Sequence, residues 1–303
     1  MAATRSWINA ARPRTLPLAL SGIIMGCGLS WYYGEMDVTV SLLAILTATL
    51  IQIFSNFAND YGDSQKGTDN RHRVGPARTV QSGEISVGEI KRGMLLVGSL
   101  SFLSGILLVY IATWNSSKTA FFTFILLGIF SLIAAYFYTA GKRSYGYIGL
   151  GDLFVFLFFG LLPVPGVFYL NAGFLPAGIF LPAVSVGLFS TGVLNLNNMR
   201  DIVNDHRSGK ITIPVRLGAK KSRIYHQLLI MGGWIAAVAF TLLHEQSVWH
   251  WLYMIILPFY ITDVVKVSRI KTDRELDPYL KRLALSTLMF TLMFISGFII
   301  AAK

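Results

Sequence analysis

Charge is scarce in this chain. Only 14% of its 303 residues are Asp, Glu, Lys or Arg, where a soluble domain carries about 25%. Acids are the rarer sign, 15 against 26 basic residues, for a net charge of +11. Cysteine is nearly absent: Cys27 stands alone inside an apolar stretch, which excludes an internal disulfide and any cysteine-built zinc site. There is no P-loop and no dinucleotide fingerprint, and Gly149-Leu150-Gly151 is too short to cradle a phosphate. No basic helix with interleaved aromatics and no nucleic-acid motif is present, so the positive charge does not point to DNA or RNA.

What the chain has is apolar length. It is 54% hydrophobic, with a mean hydropathy of +0.58. A membrane-crossing helix needs about 20 mostly apolar residues. Nine stretches qualify: 15–34, 38–58, 93–113, 119–139, 149–170, 174–196, 225–243, 248–266 and 283–302. The expected fold is therefore all-α and polytopic, embedded in a lipid bilayer. The first residues are polar and run into a full-length span, unlike a cleavable signal peptide.

The basic residues orient the bundle. With nine spans, 24 of the 26 fall on one side, leaving Lys118 and Lys303 opposite. The positive-inside rule then places the N-terminus in the cytoplasm and the C-terminus outside. A missed or invented span would scramble this alternation. The expected location is the cytoplasmic (inner) membrane.

Two polar patches interrupt the apolar pattern, each at the end of a span. The first is Asn56-Phe57-Ala58-Asn59-Asp60-Tyr61-Gly62-Asp63, continued by Lys66-Gly67-Thr68-Asp69. The second runs from Asn197 through Arg200 and Asp201 to Asp205 and Lys210. In a helix, residues three or four apart share a face. Asn56, Asn59, Asp60 and Asp63 therefore fall on one face, and Asn197, Asp201 and Asp205 on another. The patches share a rough grammar 141 residues apart, suggesting one membrane domain, 1–303, with a degenerate repeat at 56–69 and 197–210. Pseudo-symmetry would make the patches face each other across one cavity, open to the cytoplasm.

Carboxylates at a membrane edge call for a positive partner. Magnesium (Mg2+) prefers oxygen and usually takes one or two carboxylates plus substrate phosphates. Two acidic clusters across a cavity suit a metal-dressed diphosphate acting as leaving group. Asp60, Asp63, Asp201, Asp205 and Lys66 are the candidate catalytic residues. Asn56, Asn59, Lys66, Lys142, Arg143, Asn197, Arg200 and Lys210 are candidate diphosphate contacts. Lys142 and Arg143 fit topology equally well. Asp152 lies just inside the fifth span, where a carboxylate costs about 2.5–3.5 kcal/mol at mid-helix and less near the edge. It is a candidate for the acceptor pocket, with Tyr138 and Tyr147, whose rings suit a carbocation. A cation pathway fits less well, because the acids gather at one membrane face.

These motifs resemble the UbiA-type membrane prenyltransferases. The resemblance rests on Ala11 to Pro17, Asn59 to Asp69, Tyr138 to Gly141, Gly146 to Asp152, and Asn197 to Asp205 with Arg216-Leu217-Gly218, in the expected order over most of the chain. It implies nine helices around a central cavity, with Asp60, Asp63, Asp201 and Asp205 as magnesium-site acids and Asn56 and Asn59 lining the diphosphate site. Many relatives carry a third acid where this chain has Gly67 and Gly209; Asp69 is the candidate replacement in the first motif. Within the family the local sequences resemble the branch that joins a polyprenyl diphosphate to 1,4-dihydroxy-2-naphthoate in menaquinone synthesis. A 4-hydroxybenzoate acceptor is the alternative. The contiguous Asp-rich signature of the CDP-alcohol phosphotransferases is missing.

Overall fold

A computed structural model describes residues 2–68, 74–141, 144–244, 246–270 and 272–302. Among the described residues there are helices, turns and bends but no strands. Nine helical segments are long and apolar enough to cross a membrane: Thr4–Tyr32, Val38–Lys66, Val87–Thr113, Lys118–Phe137, Gly151–Ala172, Ala177–Arg200, Ile213–His244, Val248–Arg269 and Arg274–Ala301. They are spans 1 to 9 below. In hydrocarbon every backbone N–H and C=O needs an internal partner, which a helix supplies by itself.

Spans 1, 7 and 9 begin roughly ten residues before their apolar stretches, at Thr4, Ile213 and Arg274. Hydropathy locates the part that crosses lipid, not the helix end, and polar residues continue a helix readily in water. Capping marks several starts. The Asp37 carboxylate accepts from the Val40 N–H at 2.9 Å, and Ser86 forms a capping box with Glu89. Span 2 ends on Gly67 at φ +69, a left-handed cap that costs glycine little.

Three irregularities shape the interior. Span 1 breaks at Arg12, whose φ of +50 is the one positive value outside glycine among the described residues. Span 5 contains a π-helical turn, Leu157–Leu161. Within that turn a side-chain carbon on Gly160 would lie 2.4 Å from the Ala183 carbonyl and 2.5 Å from Gly187 Cα, so spans 5 and 6 touch backbone to backbone. Between span 6 and the short helix Ile202–Arg207, Asp201 leaves helical geometry at φ −102 and ψ 14.

Spans 6 to 9 enclose an aromatic core built from Phe189, Trp234, Tyr253, Tyr260, Phe290 and Phe294. The Trp234 and Tyr260 rings meet edge to face at 5.3 Å. Spans 3 and 4 turn apolar side chains outward instead: Leu95, Leu103, Phe122 and Leu126 are each more than 60% exposed. In water such faces would be an aggregation hazard; against lipid chains they are the expected surface.

Candidate active site

The break in span 1 and the polar ends of spans 2 and 6 meet at one end of a cavity of about 820 Å³. Its walls come from spans 1 to 6 and span 9. Asn56, Asn59, Asp63, Asn197, Asp201, Asp205 and Lys210 lie on its polar part with Arg12, Arg14 and Arg78. Leu18, Phe102, Phe124, Phe158 and Leu170 are among its apolar walls. The two acidic patches thus border the same space, and they touch: the Asn204 amide donates to the Thr68 carbonyl at 3.0 Å.

The first patch is bound up with the break in span 1. The Asn56 amide donates to the Ala11 carbonyl at 2.8 Å and to the Thr15 hydroxyl at 3.0 Å. These bonds tie span 2 to the turn on which Arg12 is held in its left-handed conformation. The Arg12 guanidinium donates to the Asp60 carboxylate, Arg78 Nε stands 3.8 Å away, and the Thr79 hydroxyl donates at 2.9 Å. Asp60 is 1% exposed and off the cavity wall. Asp60 is expected as a magnesium-site acid; in the structure the arginines stand on the wall, and Asp60 pairs with them from behind.

Asp63 does reach the wall, and accepts from the Tyr147 hydroxyl at 2.8 Å. A glycine between the acids allows this close packing. A side-chain carbon on Gly62 would sit 2.6 Å from Thr139 atoms.

Two lysines stand over the Tyr147 ring, Lys66 Nζ 4.0 Å and Lys210 Nζ 5.8 Å from its centroid. The Tyr147 carbonyl accepts from the Ile211 N–H at 2.9 Å, joining the loop to the second patch. Lys66 donates to the Ser144 hydroxyl rather than lining the cavity. Tyr147 is likewise behind the wall, a bridge between patches more than a pocket surface, whereas Tyr138 is on it.

In the second patch Lys210 Nζ is 3.7 Å from Asp205. Arg200, expected at the diphosphate, is instead fully buried and off the wall. It is consumed by side chains of its own region, Asp201 and Asn197, and by Asp277 of span 9. Asp152 also leaves the expected pocket: it is buried off the wall and accepts from the Tyr225 hydroxyl at 3.1 Å. Asp69, Lys142 and Arg143 lie outside the described residues.

Arg12, Arg14 and Arg78 are the functional candidates that the acid-centred reading passed over. The signal was there in Arg12-Pro13-Arg14 ahead of the first apolar stretch, read as topology and as part of the family motif. Asp277 left no signal in sequence, being one acid at a helix start.

Magnesium is the metal to test against these residues. Among the described residues no three Asp, Glu, His or Cys side chains converge on one point. Magnesium keeps several waters and relies on substrate phosphates, so it does not require such a cage. Asp63, Asp201 and Asp205 offer the hard oxygen donors it prefers, all on the cavity wall.

The sequence profile of the UbiA prenyltransferase family matches residues 19–299. The chain belongs to the UbiA prenyltransferase family. Among its relatives is the 1,4-dihydroxy-2-naphthoate octaprenyltransferase of Escherichia coli, 44% identical over 97% of this chain and 95% of the relative. The protein of that name in Haemophilus influenzae is 41% identical over 98% and 96%. Solved structures share the fold. An apo UbiA homologue from Aeropyrum pernix superposes with a TM-score of 0.68 at 16% identity, covering 95% of this chain and 98% of that one. A homologue from Archaeoglobus fulgidus, bound to GPP and Mg2+, gives 0.59 at 17% identity, over 96% and 99%. This UbiA-family chain is thus a multi-span membrane protein of prenyltransferase lineage, and its polar cavity is the place to look for the chemistry.

Proposed function

We propose that the protein transfers a polyprenyl group from a polyprenyl diphosphate to 1,4-dihydroxy-2-naphthoate, releasing diphosphate and carbon dioxide and giving a demethylmenaquinol. The observation that carries this reading is the two-part cavity, acidic and basic at one end and apolar along its walls. The names of the relatives at 44% and 41% identity supply the acceptor.

The diphosphate lies at the polar end, where Arg12, Arg78 and Lys210 supply charged donors and Asn59 and Asn197 supply amides. Asp63, Asp201 and Asp205 hold magnesium, which when bound neutralises the leaving diphosphate. The prenyl tail lies along Phe102, Phe124 and Phe158. As the allylic C–O bond breaks, its electron pair leaves with the diphosphate. The apolar walls keep water from trapping the cationic carbon, and Tyr138 presents an aromatic ring beside it. The acceptor carbon that bears the carboxylate is activated by the ortho hydroxyl. It forms the new C–C bond, and the carboxylate leaves as carbon dioxide, returning its electron pair to the ring.

Carbon-13 in the acceptor carboxyl tests the reading. We expect one labelled carbon dioxide per prenyl group transferred. Label retained in a prenylated product overturns the naphthoate assignment and favours attack beside a hydroxyl, as on 4-hydroxybenzoate.

The same proposal places the polar end toward the cytoplasm in the inner membrane, supported by the 24 basic residues on one side. A cytoplasm-only reporter fused after Lys210 should be active, and one after Lys303 silent. Activity at Lys303 would reverse the C-terminus.

A further inference from the structure

Arg200 is 0% exposed and carries a full charge. A buried charge is tolerated only when paired and hydrogen-bonded. Its guanidinium meets Asp201 side on, through Nη2 at 2.6 Å and Nε at 3.3 Å. Nη2 also donates to Asn197 Oδ1 at 2.9 Å. Nη1 turns the other way, to Asp277 Oδ1 at 2.5 Å. The far side is sealed by Gly75, where any side-chain carbon would lie 2.5 Å from Nη2. One rigid fork therefore joins the second acidic patch to the start of the last helix, Asp277–Ala301.

We propose that Asp277 is a positioning residue for prenyl transfer, acting through Arg200 to set the orientation and charge of Asp201 and Asn197 on the cavity wall. The proposal rests on the magnesium and diphosphate reading above. Its physical basis is charge sharing. Two carboxylates divide one guanidinium, so Asp201 does not neutralise Arg200 on its own and offers more negative charge to the cavity than it would alone. With Asp277 neutral, Arg200 is balanced by Asp201 alone. The fork then closes on Asp201, and the negative charge offered to the cavity falls. Asp277 could instead serve only as an acid at a helix N-terminus, where it would favour the helix dipole. That role would change stability and leave cation binding alone.

The experiment measures Mn2+ binding to the purified full-length protein by electron paramagnetic resonance, with inorganic diphosphate present. Wild type should bind Mn2+ in a diphosphate-dependent way. Asp277→Asn should raise the Kd about fivefold, the effect of ~1 kcal/mol, and Asp277→Glu should recover most of it. An Asp277→Asn protein that is folded and binds Mn2+ as wild type does overturns the proposal. Because Asp277 itself borders the cavity, Arg200→Lys is measured alongside, and stands alone should Asp277→Asn fail to fold: a point charge cannot span three partners, so its Kd should rise too. Folded Arg200→Lys with wild-type binding overturns the proposal equally. Wild type that binds no Mn2+ with diphosphate brings down the metal reading itself, which separates the two failures.

Discussion

The first acidic patch rides on one unbroken helix, Val38–Lys66, while the second is folded across a break at Asp201. On the unbroken helix, only Asp63 of the two acids reaches the cavity wall, and Asp60 is tied behind it to Arg12. Across the break, both Asp201 and Asp205 reach the wall. Two stretches with the same grammar thus divide the labour unequally. The first delivers arginines to the cavity by means of an acid; the second delivers acids by means of an arginine, Arg200. The break has a local cause in backbone geometry, yet the i−4 bonds continue through it: Asp201 N–H to Asn197 O at 3.2 Å and Asp205 N–H to Asp201 O at 2.8 Å. The face therefore survives the kink.

The largest expected effect tests the acids on the wall. Asp63→Asn and Asp201→Asn keep size and remove charge. Each should lower kcat/KM by more than about a hundredfold, the scale of one strong electrostatic contact at the transition state, ~2.7–4 kcal/mol. Steady-state prenyl transfer in detergent or nanodiscs measures it. Near-wild-type rates in both variants would mean that the wall acids do not serve the chemistry.

Asp60→Asn should sharpen the contrast by failing differently. It leaves Arg12, half-buried at the cavity wall, with half a partner; breaking a fully buried pair typically costs about 3–5 kcal/mol, an upper bound here. Its melting temperature should fall well below those of Asp63→Asn and Asp201→Asn. Residual activity at low temperature should exceed theirs, because the metal donors remain. An Asp60→Asn protein as stable as wild type and as inactive as Asp201→Asn would return Asp60 to the reacting centre.

Much of this was legible in the sequence, because the bilayer leaves few choices. Apolar runs of span length and one-sided basic loops are direct consequences of lipid chemistry. The nine runs reappear as nine helical segments among the described residues. The wall positions of Asn56, Asn59, Asp63, Asn197, Asp201 and Asp205 are those that helical spacing at two span ends groups together. What spacing does not carry is which way a charged side chain is claimed. Asp60 and Asp63 are three residues apart on similar ground. The left-handed turn at Arg12 captures one and leaves the other, and that turn depends on a hydrogen bond between spans. Arg200 and Asp152 are similar cases, since their partners Asp277 and Tyr225 are 77 and 73 residues away. Long-range pairing of this kind has no period and no motif.

The smallest effect concerns the residue between the two patches. Tyr147 donates its hydroxyl to Asp63, its backbone carbonyl accepts from Ile211 just after the second patch, and its ring lies against Lys66 and Lys210. Tyr147→Phe deletes the hydroxyl's bonds, to Asp63 and to the Thr68 hydroxyl. The ring stays against the lysines, and the backbone bond is untouched. A hydrogen bond to a charged group contributes about 1.5–3 kcal/mol, and Asp63, standing on the cavity wall, recovers part of that from water. Activity should therefore fall about tenfold, equivalent to ~1.4 kcal/mol, well short of the loss in Asp63→Asn. Tyr147→Ala removes the ring as well and brings Lys66 and Lys210 face to face without a screen. It should lose more activity than Tyr147→Phe, and the excess should shrink as salt is raised, since screening weakens the repulsion between the lysines. Equal losses in the Phe and Ala variants at every salt concentration would mean that the hydroxyl alone matters, and that the ring does not couple the two patches.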